Sequence, residues 1–363
     1  MKGLYDVKYN SIKPGQIWLD TNGERIQAHG GSIITVDDTF YWYGENKENT
    51  DGRNDIWHWG VKCYASKDLY NWEDKGIIIP PDTEDESSPL HPKQFMDRPH
   101  IIYNEKTKKF VCWLKIMKKD GIQASTILTA DHILGPYTIV KSGLRPLNMS
   151  AGDFDLVIAP DGKAYYYFER VHSELVCADL TADFTDVTGF YSTHFPNVQP
   201  PYVREAPAYF YRKGLHYLFT SGTTGYHPNP SEVAYAKSFH GPWEVMGDPH
   251  TCDLSRTSYN SQITSVFKHP FKKDLYIALA DRWIPSLPEM AGEDYHTGKR
   301  YSKIANQYKA AFDNDIERES EEDDHNDLTL NTSISNYVWL PVRFDGDKAY
   351  LDWRDEWKIE DYE

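Results

Sequence analysis

The stretch Phe40-Tyr41-Trp42-Tyr43-Gly44-Glu45 decides the fold, because its kind returns four more times. Phe110-Val111-Cys112-Trp113-Leu114-Lys115, Tyr165-Tyr166-Tyr167-Phe168-Glu169, His216-Tyr217-Leu218-Phe219-Thr220 and Leu275-Tyr276-Ile277-Ala278-Leu279 repeat its aromatic and β-branched density. The starts at 40, 110, 165, 216 and 275 step by 70, 55, 51 and 59 residues, which is the length of a propeller blade with long loops. Elsewhere the pattern has period 2, broken often by Gly, Pro, Asn and Asp, and reads as many short strands. An irregular β-sandwich or solenoid would share that texture but not the fivefold recurrence. The expectation is an all-β chain forming a five-bladed β-propeller, a single domain over residues 1–363, in which radial repetition protects the strand edges. Such a ring must close. Gln16-Ile17-Trp18-Leu19-Asp20 is expected to pair near Ala349-Tyr350-Leu351-Asp352-Trp353 and join the two ends. One segment departs from the strand pattern. Tyr301 to Arg318 reads as a short helix or ordered insertion, and the acidic run from Glu317 to Asp324 as a solvated loop.

Working outward, the 363 residues are 40% hydrophobic and 14% aromatic, enough for a large core and too aromatic for a disordered chain. The formal net charge of -16 has no basic cluster to offset it. A duplex or an anionic bilayer would repel such a surface, so nucleic acid and membrane partners are excluded. No apolar run is long enough to span a bilayer. Met1-Lys2-Gly3-Leu4-Tyr5-Asp6 carries no signal-peptide core. Cys63, Cys112, Cys177 and Cys252 share no metal-ligand spacing, and three of them lie in apolar stretches as expected buried thiols. Both features point to a reducing, cytoplasmic setting, unless a signal has been removed. No metal motif and no cofactor motif are visible.

Counting back 11 to 13 residues from each aromatic strand reaches the start of an innermost strand, near positions 28, 97, 153, 205 and 262. The segments are Ala28-His29-Gly30-Gly31, Met96-Asp97-Arg98-Pro99, Gly152-Asp153-Phe154, Arg204-Glu205-Ala206-Pro207 and Ser261-Gln262-Ile263-Thr264. Innermost strands face one axial funnel, so His29, Asp97, Asp153, Glu205 and Gln262 are expected to converge there. Three carboxylates, an imidazole and an amide in one funnel are costly to bury without purpose. Paired carboxylates beside aromatic surface suit glycoside cleavage, where one acid must stay protonated near neutral pH to protonate the leaving oxygen. Glu205 is the expected acid, held in a rigid segment by Ala206 and Pro207, with Asp153 of the adjacent blade raising its pKa. Trp57, Trp59, Tyr226 and Trp283 are candidates for stacking on sugar faces.

These residues resemble glycoside hydrolase family 43, and within it the exo-β-1,3-galactanase group, subfamily 24. The likeness runs from about Gln27 to Trp357. Besides the first-blade segments it is carried by Cys63-Tyr64-Ala65-Ser66-Lys67-Asp68-Leu69, Arg204-Glu205-Ala206-Pro207-Ala208, and Ser221-Gly222-Thr223-Thr224-Gly225-Tyr226-His227-Pro228-Asn229. Ser261-Gln262-Ile263-Thr264, Asp281-Arg282-Trp283 and Trp339-Leu340-Pro341 complete it. The resemblance implies an inverting, exo-acting hydrolase that releases terminal galactose from β-1,3-linked galactan or galacto-oligosaccharides. It implies Glu205 as general acid, Asp153 as its pKa modulator, and Gln262 as the residue that positions and activates water through an imidic-acid form. His29 stands where most of the family has an Asp base, and Asp97 where the group has Glu. Asp97, Glu45, His29, Thr224 and Asn229, with Tyr226 and Trp283, are the expected substrate contacts. A β-xylosidase or α-L-arabinofuranosidase of the same family, or a non-catalytic carbohydrate-binding propeller, are the alternatives.

Overall fold

The computed structural model describes residues 8–118, 120–197, 199–313 and 329–363. Five antiparallel sheets follow one another along the chain as a five-bladed β-propeller. Four are simple meanders of four strands. The inner strands are His29–Val36, Phe95–Asn104, Ala151–Ile158, Glu205–Arg212 and Gln262–Lys268. Each touches the inner strand of the next blade, and the fifth touches the first, so the ring closes around an axis.

The aromatic repeats are the second strands of the blades, at Thr39–Glu45, Lys109–Met117, Ala164–Arg170, Leu215–Ser221 and Tyr276–Arg282. Their lack of apolar–polar alternation has a simple cause: a strand inside a blade has another blade against each face. Trp42 packs toward the fifth blade and Tyr43 toward the second. Tyr166 and Phe168 pack toward the second blade, Tyr165 and Tyr167 toward the fourth. The core is thus five wedges between blades rather than one mass. The largest wedge joins the first and fifth blades through Trp42, Trp72, Tyr337, Trp339 and Trp357.

The chain ends meet differently from the expectation. Ile12 and Trp357 exchange both backbone hydrogen bonds, at 2.9 and 3.0 Å, and Gly15 N donates to Tyr337 O. Gln16–Asp20 does not pair with Ala349–Trp353, because each has another partner. Leu19 bridges Arg25 in its own hairpin, and Leu351 lies against Val342 and His250. The fifth blade is interrupted after Arg282 by an excursion holding helices Leu287–Ala291, Glu293–His296 and Lys299–Phe312. The last occupies part of the segment expected to be helical. The remainder of that segment beyond 313, and the acidic run at Glu317–Asp324, lie outside the described residues. No helix among the described residues is long and apolar enough to cross a membrane. Cys63, Cys112 and Cys177 are buried free thiols, and Cys252 is exposed.

Candidate active site

All five inner strands begin with a register break. The bulges fall between His29 and Ser32, Asp97 and His100, Glu205 and Ala208, and Ile263 and Ser265, while in the third blade the break spans Ala151 to Phe154. A bulge bends the strand and re-aims the side chain that precedes it. Gly30, Arg98 and Ala206 follow the site residue directly and all have positive φ, 62°, 54° and 48°. For Arg98 and Ala206 that conformation costs about 1–2 kcal/mol each. At Gly30 the bare α-carbon is needed in addition, since a Cβ there would collide with Glu45 Oε1.

The floor of the funnel is an ion network that Arg98 gathers. Its Nη2 lies 2.9 Å from Asp153 Oδ2 and donates to Gln262 Oε1 at 2.7 Å, while its backbone N donates to Glu45 Oε1 at 2.9 Å. Lys115 Nζ reaches Asp153 Oδ1 at 2.8 Å and Asp97 Oδ2 at 3.2 Å. Burial alone would raise the Asp153 pKa. The Arg98 and Lys115 charges overcome that and hold it down to about 2. Glu205 is driven the opposite way, well above the usual carboxylate range, first by burial, then by the negative charges of Asp153 and Glu169. Two carboxylates on neighbouring blades are therefore pushed apart, one toward the ionised form and one toward the protonated, which is the division of labour an acid catalyst requires.

Gln262 Nε2 lies 3.4 Å from Glu205 Oε1 and donates to Ser221 Oγ at 3.0 Å. Its Oε1 accepts from Arg98 and, at 3.3 Å, from Trp283 Nε1. Arg and Trp only donate, so the amide orientation is dictated. An imidic-acid form would place a proton on Oε1, and at least one of those two donors would have to give way to it.

Above the floor stands an aromatic wall. Trp57 Nε1 donates to Asp97 Oδ1 at 2.7 Å, Trp57 stacks on Tyr226 at 5.5 Å, and Tyr226 meets Trp283 at 4.6 Å. The buried Lys47 pins the wall, with Nζ 2.9 Å from Glu45 Oε2, 2.8 Å from Trp57 O and 3.3 Å from Tyr226 OH. Asp97, Asp153, Glu205, Gln262, Tyr226 and Trp283 are thus brought together.

Four expected substrate contacts are buried and bonded to the protein's own groups. His29 is fully enclosed, its Nδ1 on Asp281 at 2.8 Å and its Nε2 on Tyr337 OH at 3.2 Å. Glu45 has one oxygen on Arg98 N and the other beside Lys47, and burial pushes its pKa up to about 7. Thr224 Oγ1 donates to His227 O and accepts from Asn229 Nδ2, while Asn229 also bonds both backbone groups of Gly222. These two lock their own loop. Arg98, Lys115, Glu169 and Asp281 were missed. The signal for two of them was pairing near the end of the aromatic strand: Lys115 lies opposite Asp97 and Asp281 opposite Gln262, as Glu45 lies opposite His29. Glu169 faces the third-blade bulge, where a Cβ on Gly152 would collide with its carboxylate.

The family model for glycosyl hydrolases family 43 matches residues 26–300. The chain belongs to this family. Among solved structures, this family 43 chain superposes on the β-1,3-galactosidase BT0265 with a TM-score of 0.77 and 29% identity, over 98% of this chain and 65% of that one. It thus spans just under two thirds of that relative. The β-1,3-galactosidase BT3683, solved with galactodeoxynojirimycin, gives 0.75 and 26% identity over 96% of this chain and 100% of that one. The exo-β-1,3-galactanase 1,3Gal43A from Clostridium thermocellum gives 0.71 and 26% over 96% and 66%. No curated protein sequence matches the chain.

Proposed function

We propose that this family 43 chain is an inverting, exo-acting galactosidase that removes terminal galactose from β-1,3-linked galactan or its oligosaccharides. The observation that carries the reading is the buried Glu205, raised well above the usual carboxylate range on the blade next to the depressed Asp153, with the Gln262 amide 3.4 Å from its carboxyl. Structural relatives that act on β-1,3-galactosides or galactan support the substrate. Glu205 protonates the glycosidic oxygen as the bond breaks. Burial first, and then the charge of Asp153, hold that proton on Glu205. Gln262, fixed by Arg98, Trp283 and Ser221, orients the attacking water. The aromatic wall of Trp57, Tyr226 and Trp283 offers the apolar face on which a pyranose stacks. The three buried unpaired thiols suit a reducing compartment, and with it short oligosaccharides as substrates.

Anomer-resolved NMR of β-1,3-galactobiose hydrolysis tests this directly. α-Galactose is the first product expected, with the β-anomer growing in only by mutarotation. β-Galactose appearing first would exclude inversion. Release from a β-xyloside or α-L-arabinofuranoside in place of galactobiose would move the substrate within the family. Galactose binding with no turnover over days would make the propeller a binding module. The wall has its own test: Trp57→Ala removes a stacking face and one anchor of Asp97, and should raise KM by about 10–100-fold with a smaller change in kcat, given roughly 1–3 kcal/mol for a lost aromatic contact.

A further inference from the structure

Three consecutive residues just ahead of Gln262 lie in the left-handed region: Ser258 at φ 53°, Tyr259 at 58° and Asn260 at 55°. None is glycine. L-residues enter this region singly, because Cβ crowds the following carbonyl, and a run of three persists only where its surroundings over-determine it. Those surroundings are visible. Asp253 Oδ2 accepts from the backbone N of Thr257 at 2.9 Å and of Tyr259 at 3.3 Å. Ser258 Oγ donates to Asn229 O at 2.7 Å, and Asn260 Nδ2 donates to Ile284 O at 2.9 Å. Ser261 Oγ donates to Ser258 O, and one side chain takes the other two carbonyls of the turn. Arg282 Nη2 donates to Tyr259 O at 2.9 Å and Arg282 Nε to Asn260 O at 3.2 Å.

Arg282 sits between two residues that already reach the site. Asp281 holds His29 Nδ1 and Gly30 N, both at 2.8 Å, and Trp283 Nε1 holds Gln262 Oε1. Strand alternation turns Asp281 and Arg282 to opposite sides, and Trp283 follows the last residue of the strand. Gln262 is therefore held twice by Asp281-Arg282-Trp283: by its amide through Trp283, and by the backbone leading into it through Arg282. We propose that Arg282 is a positioning residue, clamping the left-handed turn at 258–260 and so fixing how Gln262 enters the funnel beside Glu205. This rests on reading Gln262 as the residue on the water side. Released from the clamp, the turn relaxes toward ordinary backbone and carries Gln262 out of register with the acid.

The test compares Arg282→Gln, Arg282→Lys, and Arg282→Gln combined with Asn260→Gly, on β-1,3-galactobiose. A displacement of about 1 Å at a reacting group costs on the order of 100-fold. Arg282→Gln should therefore lower kcat by about 10–100-fold, with KM within about threefold of the parent, since Trp57 and Tyr226 are untouched. Arg282→Lys, which spans one carbonyl rather than two, should lose less. It serves as the readable variant if the glutamine protein does not fold. Glycine occupies the left-handed region freely, so adding Asn260→Gly should recover about fivefold or more of the lost kcat. A second readout does not depend on turnover: the indole N–H resonance of Trp283, assigned by its absence in Trp283→Phe, should shift in Arg282→Gln and move back with Asn260→Gly. An unmoved indole resonance with unchanged kcat overturns the proposal. So does a loss of kcat matched by loss of folded protein and not recovered by the glycine. A parent chain inactive on galactobiose defeats the functional reading instead, and the indole resonance still decides Arg282.

Discussion

Glu205→Gln is expected to lower kcat on β-1,3-galactobiose by about 10³–10⁴-fold, the upper part of the range for removing a general acid. The substitution is close to isosteric. Glu205 is 9% exposed, and Gln262 Nε2, 3.4 Å from its carboxyl, meets an amide oxygen almost as well as a carboxyl oxygen. Folding and ligand affinity should therefore survive, and only the transferable proton is lost. That makes the result separable from damage to the fold. A galactoside with a very acidic leaving group, such as 2,4-dinitrophenol, needs no protonation to depart, so the same variant should lose less than about tenfold on it. Galactobiose turnover retained within tenfold would remove Glu205 from the role. An equal loss on both substrates would assign it to something other than acid catalysis.

The propeller was legible because second strands packed on both faces cannot show alternation, and Tyr165-Tyr166-Tyr167-Phe168 is what that burial demands. The funnel residues were legible because every inner strand opens on a bulge that aims one side chain inward. Which polar side chains the scaffold itself would satisfy was less legible. Whether a polar side chain faces a sugar or its own scaffold depends on partners far away in sequence. His29 is satisfied by Asp281 and Tyr337, more than 250 residues distant. Thr224 and Asn229 close their own loop within five residues, a geometry that reads the same from sequence as a ligand contact. The cationic hub was passed over for a related reason. Arg98 and Lys115 are buried among Asp153, Asp97 and Glu45, and only the assembled ring shows that the acidic funnel is nearly balanced. The ring closure failed by a few residues, since Ile12 and Trp357 took the pairing expected of their neighbours.

That balance sets the second large effect, Asp153→Asn. Asp153 is ionised down to about pH 2 because Arg98 and Lys115 outweigh its burial. Removing its charge leaves both cations buried with fewer partners, and breaking a buried pair of this kind costs about 3–5 kcal/mol of stability. Stability drawn from a depressed carboxylate is present above its unfolded pKa and lost as pH falls through the folded one, so the deficit should be full at neutral pH and narrow between about pH 4 and 2. Catalysis shifts in the other direction. Burial first and the Asp153 charge second keep Glu205 protonated. Without that charge, and with Arg98 and Lys115 free to act on it, its pKa falls. A general acid works only while protonated, so the alkaline limb of kcat/KM should move to lower pH. The variant should lose about 10²–10³-fold at pH 8 and clearly less at pH 5. Rate profiles of the folded fraction, with thermal unfolding measured alongside, check both halves. A pH-independent deficit would mean that Asp153 acts on substrate binding alone. An unchanged unfolding temperature would mean that Asp97 and Glu45 are enough to hold the two cations.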